Sequence, residues 1–103
     1  VSIDDEIVTL TALANPHRFR IIAMLAAEPL HVSELARRLG MSRALLYMHL
    51  QRLEAAGILS GRLELSDDGK ALKFFEVVPF RIDIDVARIV AAVASETEST
   101  PNT

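Results

Sequence analysis

Cysteine is absent from the 103-residue chain, which excludes a disulfide framework, a thiolate metal site and a thiol redox switch. No apolar run approaches the roughly 18 residues needed to span a bilayer. The first ten residues hold Asp4, Asp5 and Glu6 and no base, whereas a secretory signal opens positive and then turns apolar. A cytoplasmic protein with no membrane partner is the expectation. Positive charge is also scarce: 14 acidic against 11 basic side chains leave a net charge of −3, while nucleic-acid-binding domains are usually basic. No nucleophile–base set, phosphate loop or HExxH-type metal motif occurs, so an enzyme is not expected.

What is present suits one small globular domain, with half the residues apolar and 24% charged. The domain is placed at 1–98, with 99–103 as a flexible tail. The charge is polarised along it. Residues 1–10 have an acidic excess of three, residues 31–73 a basic excess of two, and residues 82–103 an acidic excess of three. The middle of the chain can therefore face an anion that the whole chain would repel.

Periodicity predicts the order α1-α2-α3-α4-β-β-α5, a mainly α fold with one β-hairpin. Ile3, Ile7, Leu10 and Leu13 recur at helical spacing over 3–13, with acids at the favourable end of the dipole. Asn15-Pro16 pairs a favoured N-cap with a favoured first helical residue. The helix it starts turns Phe19, Ile22 and Leu25 inward, with Ile21 and Met24 on its flanks, and stops before Pro29. A third helix covers 32–39, its cap being His31 with Glu34 three residues on, the spacing of a capping box. Gly40 supplies a turn, Ser42 caps a fourth helix with Leu46, Leu50 and Leu53 inward, and Gly57 ends it. Strand-like alternation over 59–78 is folded back at Ser66-Asp67-Asp68-Gly69, whose Asp-Gly pair tolerates positive φ. A last helix over 82–95 carries Ile82, Val86, Ile89 and Val93 on one stripe.

Two short helices joined by Leu39-Gly40-Met41-Ser42 are the sequence form of a helix-turn-helix, placed at 32–56, whose second helix enters the major groove. The hairpin after it makes a winged helix. With the three leucines inward, Arg43, Ala44, Tyr47, Met48, Gln51 and Arg52 point outward. Arg43 and Gln51 are the candidate base readers, because arginine bonds guanine and glutamine adenine bidentately. Tyr47 and His49 are candidates for phosphates, and Tyr47 or Met48 for a thymine methyl. Alternatively, Tyr47 covers the helix–wing joint and His49 packs under the hairpin. Ser42 can cap the helix and donate to a phosphate. Arg62, Lys70 and Lys73 belong to the wing, and Arg37 and Arg38 to the helix that crosses the backbone or simply faces water.

Residues 13–22 around Asn15-Pro16-His17-Arg18-Phe19-Arg20, residues 32–42, residues 49–59 and residues 65–76 together resemble the ArsR/SmtB-type winged helix-turn-helix transcriptional regulators. The likeness runs over about 10–80 with four segments in the right order and spacing. It implies a homodimer built from the first and last helices, 3–13 and 82–95, binding double-stranded DNA at an operator with two-fold pseudosymmetry. Ile3, Ile7, Leu10, Ile82, Val86, Ile89 and Val93 are the dimer face on this reading. The resemblance places two metal sites of the family by position. A Cys-x-Cys site falls on His31 and Ser33, which form no thiolate site. An Asp-x-His and a later His pair fall on Asp83-Ile84-Asp85 and on Glu96, Glu98 and Ser99, with no imidazole. An all-oxygen set suits a hard cation, not nickel, zinc or cobalt. No cofactor is expected. The alternatives are a metal-responsive member using Asp83, Asp85, Glu96 or His31, with His17 a further ligand, and a winged-helix module for a protein partner. The second is prompted by the acidic total and the apolar Leu45, Tyr47 and Met48.

Overall fold

The computed structural model describes residues 3–99, with side chains over 3–96. Residues 100–103 of the expected tail lie outside the described residues. The elements are α1 (Ile3–Leu13), α2 (Pro16–Ala27), β1 (Leu30–His31), α3 (Val32–Leu39), α4 (Arg43–Ala55), β2 (Leu59–Leu65), β3 (Ala71–Val77) and α5 (Val86–Ser99).

The helix boundaries follow from capping. Asn15 Oδ1 accepts from the amides of His17 at 2.8 Å and Arg18 at 3.4 Å, with Pro16 in the first turn. His31 Nδ1 accepts from the Glu34 amide at 3.4 Å, so histidine does serve as the cap of α3. The capping box is only half made, because the Glu34 carboxylate turns to Arg37 and Arg38. Gly40 takes the left-handed conformation that lets the chain leave α3 and re-enter a helix within three residues (φ 63°). Ser42 Oγ then accepts from the Leu45 amide at 3.2 Å.

Leu46, Leu50 and Leu53 of α4 are fully buried and meet Ile21, Leu25, Leu35 and Phe75 in one core. The face of α2 differs from the sequence expectation. Arg18, Ile21 and Leu25 point inward, Ile22 and Met24 are half-buried, and Phe19 is 60% exposed. The helix is turned because the Arg18 guanidinium is captured inside, so a stripe counted on apolar residues alone misplaces it.

The sheet is antiparallel in the order β1-β3-β2. Two-residue β1, unseen in the sequence, pairs Leu30 with Phe75 and His31 with Phe74, tying the helix-turn-helix to the wing. Phe75 is the buried hub, flanked by Leu30 and by Gly61 of β2. A Cβ on Gly61 would lie 3.0 Å from the Phe75 ring, 3.2 Å from Glu54 and 2.7 Å from the Lys73 side chain. Lys73 can swing away; the ring cannot. Gly61→Val is expected to destabilise the fold by about 1–3 kcal/mol, read as a lower thermal midpoint, and an unchanged midpoint overturns it.

Two boundaries are corrected at the C-terminal end. Helix α5 begins at Val86, not 82, because Asp85 caps it by accepting from the Arg88 amide at 2.8 Å. It also continues through Ser99 rather than ending at 95. Ile82 therefore leaves the proposed helical stripe. It is half-buried and lines a cleft of about 440 Å³ with Leu10, Ile58 and Phe80 of its own chain. Arg88 and Glu6 form an ion pair that holds α5 on α1. The radius of gyration is 17.2 Å and the extents 59 × 25 × 22 Å, whereas a compact domain of this length has about 13 Å. The chain is elongated.

Candidate nucleic-acid interface

Helix α3, the Gly40 turn and α4 form the helix-turn-helix, and β2–β3 the wing. With the three leucines buried, Arg43, Ala44, Tyr47, Met48, Gln51 and Arg52 are all exposed. They share one outer face, as their spacing predicts. Tyr47 and Met48 are each 40% exposed and Leu45 42%, so the face has an apolar middle. Arg43 Nη2 donates to Ser33 Oγ at 2.6 Å. That bond places the guanidinium over the start of α3, between the two helices.

Charge on this side is partly consumed within the chain. Arg37 and Arg38 pair with Glu34, and Arg38 reaches Glu28 at 3.4 Å. Arg62 bonds Glu64 at 2.6 Å and Glu76 at 2.7 Å, a same-face and a diagonal cross-strand pairing. These two acids take up its charge and leave it the poorest placed of the wing cations for DNA. Lys73 Nζ sits over the Phe75 ring, 5.3 Å from its centroid. Lys70 lies at the exposed tip, 3.9 Å from Asp68. The tip is the turn foreseen in the sequence: the Ser66 amide donates to the Lys70 carbonyl at 2.8 Å, and Gly69 takes φ 82°. Arg52 has no carboxylate within ion-pair distance among the described residues.

His49, a candidate for phosphate, is instead turned into the core and only 2% exposed. Its Nδ1 accepts from Arg18 Nε at 3.1 Å, and the His17 ring lies 5.7 Å away. Sequence reasoning missed this pair. The available signal was Arg18 itself, at helical spacing with Ile21 and Leu25. Burial, and then the charges of Arg18, His17 and Arg52, hold the His49 ring below the ordinary value of 6.5. The unfolded chain therefore binds more protons than the folded one below about pH 6.5, so stability is full above that and lost as pH falls toward the folded value. The thermal midpoint is expected to fall between about pH 7.5 and 5.5. Glu34 and Asp68, held below the usual carboxylate range by Arg37 and Ser66 respectively, act only in stronger acid. A flat midpoint across that window overturns the assignment.

The candidate groups of the metal-responsive alternative have other duties. Asp83 pairs with Arg81 at 3.0 Å, Asp85 caps α5, and His31 caps α3 and packs edge-on against Phe74. Glu96 is on α5, and the side chains of Glu98 and Ser99 lie outside the described residues. Among the described residues no three such groups come together to hold a metal ion, and no helix is long and apolar enough to cross a membrane.

The geometry has counterparts in known proteins. A family model for a helix-turn-helix domain matches residues 13–62, the span from the end of α1 into β2. A helix-turn-helix-type transcriptional regulator of Methanocaldococcus jannaschii is 35% identical over 74 residues, covering 72% of this chain and 77% of that protein. The transcriptional activator HlyU of Vibrio cholerae is 40% identical over 58 residues, 56% of this chain and 54% of that one. A solution structure from Mycobacterium bovis, of a homodimeric winged helix-turn-helix DNA-binding domain and possible ArsR-family regulator, superposes with TM-score 0.67 at 26% identity. It covers 93% of this chain and 81% of that one. The chain belongs to the helix-turn-helix-type transcriptional regulators, and it shares the winged helix fold of the possible ArsR-family regulator of M. bovis.

Proposed function

We propose that the protein is a homodimeric, sequence-specific DNA-binding regulator that reads a pseudo-palindromic operator. The observation that carries this is the exposed outer face of α4, with Arg43 and Gln51 flanking Tyr47 and Met48, beside a wing that presents Lys70 and Lys73. Arginine and glutamine are the side chains that read guanine and adenine edges bidentately. The apolar centre suits thymine methyls, and Ser42, Arg52 and the wing lysines suit phosphates. Dimerism is supported by the elongated chain, by apolar side chains left uncovered on α1 and α5, and by the homodimer of the M. bovis relative. No resident cofactor is needed for this function.

Selection of bound duplexes from a genomic DNA pool, run with and without divalent metals, tests the reading. One dominant inverted repeat is the expected result; recovery of random sequence overturns it. A metal-dependent change in the selected pool would restore Asp83, Asp85, Glu96 or His31 as an effector site. Affinity for the selected duplex should fall steeply with salt. With Arg52, Lys70 and Lys73 of two protomers on phosphates, a slope of about −5 in log K against log salt follows. A slope near zero points to the protein-interaction alternative, which the exposed Leu45, Tyr47 and Met48 favour.

A further inference from the structure

The best-built polar contact in the fold lies behind the DNA face. Arg18 is 7% exposed and its guanidinium joins three helices. It belongs to α2, donates through Nη1 to the carbonyls of Thr11 at 3.2 Å and Ala12 at 3.3 Å in the last turn of α1, and through Nε to His49 Nδ1 at 3.1 Å in α4. Carbonyls at a helix C-terminus lack intrahelical donors and carry the negative end of the dipole, so a cation is well placed there. The third bond has a condition attached. Arginine only donates, so Nδ1 of His49 must be unprotonated, with the ring's one proton on Nε2.

Among the described residues nothing around the ring would compensate a second proton. Nε2 is buried and meets no partner among them. The charged groups acting on the ring are Arg18 and His17 from α2 and Arg52 from α4, all cations or potential cations. Helices α1 and α3 and strand β2 also pack on α4, and no carboxylate from them acts on the ring. The carbonyls that α1 brings nearby are used by Arg18.

We infer that Arg18 and His49 are positioning residues for the recognition helix: their bond fixes α4 against α1, and protonating His49 breaks it, so DNA affinity falls in acid. This rests on the reading of α4 as the DNA-binding helix. The sign runs against the generic effect, in which a more positive chain binds phosphate more tightly in acid. A helix that both anchors in the core and faces DNA thus carries its own acid-sensitive latch, tied to one of the proposed dimer helices.

The test uses the full chain and a duplex selected from a randomised pool at pH 8, with fluorescence anisotropy read at constant ionic strength down to about pH 5.5. Wild-type affinity is expected to weaken by about tenfold or more as the docked population falls. His49→Asn supplies Oδ1 where Nδ1 stood and accepts from Arg18 at either pH, so it should lose less than about threefold. Equal or tighter wild-type binding in acid overturns the inference, as does an acid loss in His49→Asn as large as in wild type. A second measurement needs neither DNA nor the variant: a nuclear magnetic resonance titration of the wild-type rings and amides. Amides of α4 and of the last turn of α1 should shift with the midpoint of the His49 ring, and amides that stay still while the ring titrates overturn the inference. If no duplex is held at any pH, the DNA reading fails and this titration alone decides the latch.

Discussion

Arg43→Ala combined with Gln51→Ala is expected to reduce affinity for the selected operator by about 10³-fold or more, to the level of nonspecific DNA. Each bidentate base contact contributes about 1–3 kcal/mol of discrimination, and a two-fold dimer presents each residue twice. The nonspecific component should survive, because Arg52, Lys70 and Lys73 remain and the salt slope comes from phosphates. The fold should survive as well. Both side chains are exposed, alanine is a good helix former, and the surface bond lost from Arg43 to Ser33 is within about 0.5 kcal/mol of neutral. Electrophoretic mobility shift against the selected duplex and a scrambled one reads both arms. Operator affinity retained by the double variant would place the recognition surface elsewhere, with the wing the next place to look.

The acidic net charge looked like an objection to any such function, and the structure shows why the total is a poor guide. Part of the acidic excess at the two ends is spent within the chain, Glu6 on Arg88 and Asp83 on Arg81. The basic middle is also weaker than its count, since Arg37, Arg38 and Arg62 are paired internally. On the proposed function, specific contacts add to a weak bulk field.

The helix-turn-helix was legible because its signals are local. Asn15-Pro16, His31, Gly40 and Ser42 are caps readable within a four-residue window, and the leucines of α4 recur at one period. The Asp68-Gly69 turn fixed the hairpin in the same way. What was not legible depended on partners distant in sequence. The orientation of α2 rests on Arg18 meeting α1 and α4, and a buried arginine is rare enough that an apolar count passes over it. The start of α5 is ambiguous in the sequence because Ile82 continues the stripe of Val86, Ile89 and Val93, while both Asp83 and Asp85 suit a helix start. Only the cap geometry chooses Asp85. The neutralisation of Arg62 requires the strand register, and β1 is too short to announce itself.

Ile89→Glu should convert the proposed dimer into a folded monomer and lower operator affinity by about 10²–10⁴-fold, the gain that linking two half-sites provides. Val86, Ile89 and Val93 follow one another at helical spacing and are 76%, 52% and 50% exposed; Ile7 and Val8 on α1 are also more than half exposed. In its own chain α5 has α1 as its main neighbour, so this stripe is not consumed by the domain core. A symmetric interface places each substituted residue twice, and an unpaired carboxylate in an apolar interface costs several kcal/mol. The neighbouring Arg88 offers no relief, because Glu6 already occupies it. Light scattering behind size-exclusion chromatography should move from twice the 11.3 kDa chain mass to the single value, with far-ultraviolet circular dichroism unchanged. Residual half-site binding through Arg43 and Gln51 should persist at high protein concentration, which separates lost dimerisation from lost recognition. A variant that remains dimeric with full operator affinity would move the interface off α5.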